Sequence, residues 1–272
     1  MSPRDTIAAA LLPSGLNVVG VTTVAAWDAV ATPARRGAVV APGARSILVV
    51  GSGGGALWNA FLADLQRDPG GLTREPHPLD AFVRRAVAAA DGALGTVPRR
   101  WFWSAAEAEV HLDFRVLAQL AGLGSPGRLG LLMHGVYGPW LGLRAACFLD
   151  AELAADAPGG PDLCAGCPAP CVTACPGSAF PGGQWSVDAC TSFRLADATC
   201  KAACHARAAC PAGAAHRYPD EEVAYHSDRA TGRRWLRAHL GLADGADPFD
   251  GVGPYWGTWR QKVDVKGQGE VV

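Results

Sequence analysis

Eight of the nine cysteines of this 272-residue chain fall between Cys164 and Cys210. The segment opens with CAGCPAPCVTACP and closes with CKAACHARAACP, so that Cys175 and Cys210 are each followed directly by proline. Closely spaced thiols, with a Cys-Pro closing each half, are the pattern of two iron–sulfur clusters sharing one segment. A [4Fe–4S] cube needs four thiolates around one body, and a tight loop carrying Cys164, Cys167 and Cys171 supplies three of them. The fourth must come from elsewhere, and in two-cluster ferredoxins the Cys before the proline ligates the other cluster. That rule gives one cluster to Cys164, Cys167, Cys171 and Cys210 and the other to Cys175, Cys190, Cys200 and Cys204. The spacing departs from the bacterial run, because Pro168, Ala169 and Pro170 put one residue too many between the second and third cysteines.

Two other cysteine chemistries compete. Structural zinc also takes four cysteines, and His205 stands beside Cys204, but zinc leaves both Cys-Pro closures unexplained. A disulfide framework needs an oxidising compartment, and the opening MSPRDTIAAALLPSG has an acidic Asp5, a short apolar stretch and no convincing cleavage site. The expected setting is soluble, reduced and cytoplasmic. Cys147, apart from the others in LRAACFL, reads as a buried, inert thiol.

With 49% hydrophobic residues the chain can bury one sizeable core and carry a smaller appended module. A formal charge of −1 and the lack of a long basic run point away from a nucleic-acid surface. The most apolar stretch, Leu129 to Leu149, is interrupted by His134, Arg144 and several glycines, so no membrane span is expected.

The runs LNVVGVTT, from Leu16 to Thr23, and SILVV, from Ser46 to Val50, read as buried strands. GSGGG (Gly51 to Gly55) and then a helix, ALWNAFLADLQ, follow the second. Leu79, Phe82, Val83, Ala86, Val87 and Ala90 recur at helical spacing, predicting a helix that starts near Pro78 and ends at Gly92. A shorter helix is expected from Leu112 to Leu120, then two strands, RLGLLM and LGLRAACFL, joined through HGVYGPW. The fold class is α/β or α+β, a sheet with flanking helices, plus a ferredoxin-like two-cluster module. The linker ELAADAPGGPD suggests domains at 1–155 and 156–217, with a C-terminal helix and irregular tail over 218–272.

The strand, GSGGGA and helix fit part of a dinucleotide-binding form through Gly51, Gly53, Gly54 and Gly55, but no second strand ending in an acidic residue follows. Bare glycine backbone also suits close approach of a large flat ligand, or simply a tight turn. His134 opens the glycine-rich HGVYGPW connection, where a ligand can reach it, and Tyr137 and Trp140 can flank a planar cofactor.

The order AQLAGLG, strand, HGVYGPWLGLRA, strand and two interleaved cysteine sets resembles epoxyqueuosine reductase, a cobalamin and [4Fe–4S] enzyme that reduces a tRNA base. HGVYGPWLGLRA also resembles the turn of the vitamin B12 processing proteins, which share a cobalamin-binding, nitroreductase-like fold. The resemblance spans roughly Leu16 to Pro211 and supports the same two ligand sets. It implies a corrinoid near Gly51 to Gly55 and His134, reduced through the clusters by a donor such as a flavodoxin, ferredoxin or reductase. The D-T-G aspartate that serves those tRNA enzymes as proton donor is missing, since the stretch here reads SAAEAEVHLDF and Glu107, Glu109 and Asp113 do not stand in its place. Their C-terminal helical repeats have no counterpart in this sequence either. A similar order, with the glycine loop, LW and PLDAF before the cysteines, occurs in small bacterial proteins labelled ferredoxin-like or dicluster. Three functions follow as expectations: corrinoid reduction or processing, a two-cluster electron carrier without organic cofactor, and an epoxyqueuosine reductase-like enzyme.

Overall fold

The computed structural model describes residues 2–104, 108–242 and 247–249; Glu107 and the tail that follows Phe249 lie outside them. Four antiparallel strands form the central sheet: β1 (Val18–Thr23), β2 (Ser46–Gly53), β3 (Arg99–Trp103) and β6 (Leu141–Leu149), in the order β1-β2-β6-β3. Strand alternation sorts the side chains onto two faces. Leu48, Val50, Ala145 and Cys147 join one buried cluster, whereas Ile47, Val49, Ala146 and Phe148 join the other. Every residue of β2 is buried, which explains why its sequence is a continuous apolar run.

Helices cover both faces. Pro3–Leu11, Ala56–Arg67, Pro78–Asp91 and Arg229–His239 pack on one, Val24–Asp28 and Phe114–Leu120 on the other. The Pro78–Asp91 and Ala56–Arg67 helices fall where the periodicity places them. Trp58 and Phe61 on the latter meet at ring centroids 5.5 Å apart, and Tyr225 lies 5.3 Å from Trp58. The C-terminal helices Asp220–Ser227 and Arg229–His239 therefore complete the N-terminal core. Arg233 is fully buried among them, its Nε 2.5 Å and Nη2 2.8 Å from the Asp247 carboxylate, with a third bond to the Leu72 carbonyl at 2.6 Å. A buried ion pair persists only with such multiple satisfaction.

One expectation changes. RLGLLM does not add a strand to the main sheet; only β5 (Leu132–Met133) is extended, paired with β4 (Ser125–Pro126) in a separate ribbon. β3, two arginines followed by three aromatics, takes the sheet edge instead. The two arginines are reconciled with the sheet by local partners: Arg99 forks onto Asp91, both bonds at 2.6 Å, and Arg100 donates to the Val40 carbonyl at 2.8 Å.

The stretch after β6 is fastened rather than loose. The Asp156 amide donates to the Val21 carbonyl at 2.9 Å, its carboxylate accepts from the Val21 amide at 2.8 Å, and Arg4 holds its other oxygen at 3.0 Å. Further on, the Gly159 amide donates to Gln119 at 2.7 Å and Ser125 Oγ to the Gly160 carbonyl at 2.8 Å. Within the cysteine segment the described residues form short helices, Pro170–Thr173, Val187–Ala196 and His205–Ala208, and no strand. No described helix is long and apolar enough to cross a membrane.

The glycine loop is a continuation of the sheet. β2 stays paired to β6 through Gly53↔Leu141, with a register shift at Val50/Gly51. A Cβ at Gly53 would run into the ring of Tyr137. Gly53→Ala is therefore expected to displace Tyr137 and cost about 1–3 kcal/mol, read as a lowered melting temperature; an unchanged melt would show that Tyr137 is not seated there.

Candidate functional site

The eight clustered cysteines surround two separate cavities. Cys164, Cys167, Cys171 and Cys210 line a narrow one of about 20 Å³, closed by Leu129 and Met133. Cys175, Cys190, Cys200 and Cys204 line a wider one of about 200 Å³. Cys210 thus reaches back to the first three cysteines, and Cys175 belongs with the later three. The extra residue in the first loop is absorbed locally. Ala169, between two prolines, adopts left-handed φ 56° and ψ 50° and caps the Pro170–Thr173 helix, which turns Cys171 into the first cavity. Left-handed backbone costs a non-glycine residue roughly 1–2 kcal/mol. Upstream, Asp162 Oδ1 accepts from the amides of Cys164 and Ala165 at 2.9 and 3.2 Å, shaping the loop entry.

The donor sets suit clusters. Burial pushes the thiols of Cys171, Cys190, Cys200 and Cys210 up, and negative charge on cysteines of the same set pushes them further. Four crowded thiolates repel one another, and a cationic centre bound among them would relieve that charge. Backbone amides point at three sulfurs, Arg128 N–H at Cys164 Sγ and Arg207 N–H at Cys204 Sγ, each 3.4 Å, and Ala179 N–H at Cys175 Sγ, 3.5 Å. Such bonds stabilise the reduced, more negative state and tune the potential. Among the described residues no group of three or more His, Cys, Asp or Glu side chains stands close enough together to hold a single metal ion. A cube spreads its ligands around a larger body. Cys147 is fully buried in β6, and burial pushes its thiol far above the ordinary range.

The residues expected to cradle a flat cofactor are covered by the chain itself. Asn17 brackets Gly53, accepting from its amide at 2.7 Å and donating to its carbonyl at 3.1 Å, while the Gly54 amide donates to the Trp140 carbonyl at 2.9 Å. His216 lies over Gly54 and Pro219 over Gly55, and Gly51 faces the Gly142 carbonyl. Tyr137 is sandwiched between His134 and His216, at centroid distances of 5.0 and 4.9 Å. His134 Nδ1 accepts from the amides of Val136 and Tyr137 at 3.1 and 3.3 Å, and burial, then His216, holds its proton affinity down. Trp140 is buried beneath Tyr218, 5.4 Å between centroids, with the Arg207 guanidinium 4.4 Å from its ring. Gly51, Gly53, Gly54, Gly55, His134, Tyr137 and Trp140 thus form the seat on which the chain lands after Cys210. The Gly53 and Gly54 amides are spent on these bonds.

A polar chamber not visible in the sequence lies beside this seat. Trp140 Nε1, Arg207 Nε, Tyr218 OH, Glu222 Oε2 and His226 Nε2 are all enclosed without a hydrogen-bond partner. They come from β6's approach, the cysteine segment and the Asp220–Ser227 helix, so sequence proximity gives no hint of them. Burial pushes Glu222 up to about 8, with Arg144 and Arg207 opposing and Glu221 adding. Burial, then Arg144 and Arg207, drives His226 down to about 3. Arg144, a charge inside the apolar run LGLRAACFL, was the one available sequence signal.

No protein-family profile and no curated protein matches the chain. Solved structures do. The B12-trafficking protein CblC of C. elegans covers 90% of this chain and 97% of its own length at TM-score 0.60 and 12% identity. Epoxyqueuosine reductase of Bacillus subtilis covers 90% of this chain and 78% of its own at TM-score 0.54 and 14% identity. The same shares and identity, at TM-score 0.56, hold for an epoxyqueuosine reductase solved with a tRNA-Tyr stem loop. The chain shares their fold. The relation expected from the HGVYGPW and cysteine stretches holds at that level, while the expectation against nucleic acid, drawn from charge and the missing aspartate, finds no support in a group that includes a tRNA complex.

Glu222 gives the chamber a measurable signature. Its folded-state proton affinity exceeds the ordinary 4.5, so the folded chain holds an extra proton up to about pH 8 and loses stability as pH rises through that window. His226 acts oppositely, but only below its ordinary 6.5. Between pH 6.5 and 8 the Glu222 slope stands alone, about 2 kcal/mol in all. Melting of the loaded protein should fall over that range in the wild type and stay flat in Glu222→Gln; equal slopes would refute the buried acid.

Proposed function

We propose that this chain is a redox protein holding two [4Fe–4S] clusters, one on Cys164, Cys167, Cys171 and Cys210 and the other on Cys175, Cys190, Cys200 and Cys204. The observation that carries this is the division of eight cysteines into two rings of four, each around its own cavity, with ligands exchanged between the halves. When bound, the clusters supply one-electron transfer. The chain's own residues hold and insulate them. Leu129, Met133 and Phe180 exclude water from the cysteine layer, and the three amide–sulfur contacts bias the potentials. The donor would be another redox protein, a flavodoxin, ferredoxin or reductase. The fold's likeness to CblC and epoxyqueuosine reductase supports a role connected with iron–sulfur and B12 chemistry. The covered glycine loop favours electron transfer without a corrin at that place.

Anaerobic reconstitution should yield about eight iron and eight sulfide per chain, the content of two cubes. Cys171→Ala is expected to remove one cluster's electron paramagnetic resonance signal and spare most of the other, and Cys200→Ala to do the reverse. Zinc in place of iron would reject the proposal. Added cobalamin should leave the absorption spectrum unchanged; a retained corrin spectrum would overturn the reading of the covered loop.

A further inference from the structure

The second cysteine cavity shares a wall with a different space. His226 and Ser227 line both that cavity and a cleft of about 260 Å³ on their other side. Arg194, from the cysteine segment, donates to the Ser227 carbonyl at 3.1 Å and ties the wall to the second ligand set. Five parts of the fold meet at the cleft: Ser104 just beyond β3, Leu143 and Arg144 in β6, the start of the Pro78–Asp91 helix, the end of the Asp220–Ser227 helix, and Arg229 at the start of the Arg229–His239 helix. We propose that this cleft binds a small organic acid, one carboxylate on an apolar body, held by Arg144 across the His226–Ser227 wall from the second cluster. The proposal rests on the two-cluster reading.

Three observations give the ligand its chemistry. First, Arg144 is a strand residue that lines this cleft with its guanidinium lying over Gly142, and among the described residues its side chain makes one long hydrogen bond, Nε to Ser52 Oγ at 3.4 Å. Its Nη donors remain for a ligand, and a guanidinium fork matches a carboxylate in geometry. Arg229, by contrast, is engaged with the Pro76 carbonyl and lies 3.5 Å from His77. Second, the fixed charges lining the cleft are these two guanidinium groups against the single carboxylate of Asp80. One net positive charge suits a monoanion, whereas a dianionic phosphate would also meet Asp80. Third, Leu79, Leu143 and Tyr225 supply apolar wall, and the volume limits the body to a few-atom chain or one ring. His226 bears on the same wall as an enclosed, unpartnered imidazole: its Nε2 has no hydrogen-bond partner, and Glu222 Oε1 is 3.8 Å away.

Benzoate and its neutral isostere benzamide test this by calorimetry on the anaerobically reconstituted full chain. Benzoate should bind at least tenfold more tightly than benzamide, and Arg144→Met should lose that advantage while keeping iron content and melting temperature. Equal binding of the two probes, no binding of benzoate, or an Arg144→Met variant that still prefers benzoate overturns the proposal. Because Arg144 is partly buried, a measurement on the wild type stands beside the variant. Benzoate should alter the resonance signal that Cys200→Ala removes and leave the one that Cys171→Ala removes; the opposite pattern, or no change, refutes the shared wall. If the chain carries zinc or no iron, the two-cluster reading fails by itself, and the calorimetric comparison still decides the cleft.

Discussion

The exchange of cysteines between the two halves of the segment, Cys210 joining the first three and Cys175 the last three, governs the rest of the molecule. Because Cys210 lines the first cavity while Cys200 and Cys204 line the second, the chain must cross back over itself before it leaves the segment. It emerges beside the HGVYGPW turn, where Gly138 and Gly213 pack backbone to backbone with no space for a Cβ on either. That contact fixes the start of the next segment. His216 then lands on Tyr137, Tyr218 on Trp140, and the Asp220–Ser227 helix is delivered edge-on to both the sheet and the second cysteine ring. The position of every residue in the polar chamber follows from this return path.

The chamber is costly to build, and its composition explains why it is stable. Glu222 and His226 are placed where charge is disfavoured, so the carboxyl retains its proton and the imidazole stays neutral, each adopting the uncharged form that burial demands. The Arg207 guanidinium, which cannot become neutral, is held differently. It lies over Trp140 and Tyr218, 4.4 and 4.8 Å from their centroids, and donates to the Pro139 carbonyl at 2.7 Å. Cation–π contact is worth most where water is excluded. The same residue's backbone amide points at Cys204 Sγ, so one arginine couples the aromatic seat to the second group of cysteines.

What could be read from the sequence depended on how local the governing physics was. The cysteine sets follow from loop geometry and the Cys-Pro rule, and the long helices from apolar spacing; both involve neighbours in sequence. β3 escaped notice because Arg99 and Arg100 make it look like surface, and only Asp91 and the Val40 carbonyl, supplied by other elements, allow it into the sheet. RLGLLM looked like a strand of the core because apolar content does not say which partner a strand will find. The glycine loop shows the limit most clearly. Its bare backbone correctly signalled that something approaches closely, but sequence does not reveal whether that is a ligand or the chain's own Tyr137, His216 and Pro219. Arg144 and His226 lie far apart in sequence and meet only after the return from Cys210.

The fastening of Asp156 along β1 has a consequence for solubility. β1 is an outer strand of the sheet, and an open strand edge is a template for pairing with another chain. At Val21 both backbone groups are already taken, the carbonyl by the Asp156 amide and the amide by its carboxylate, with Arg4 placing a charge beside them. The stretch that carries the chain from the sheet to its cysteines is thus also the guard of that edge. A version of this protein cut before Asp156 would lose more than its cysteine segment, because it would present β1 to its neighbours as a site for self-association.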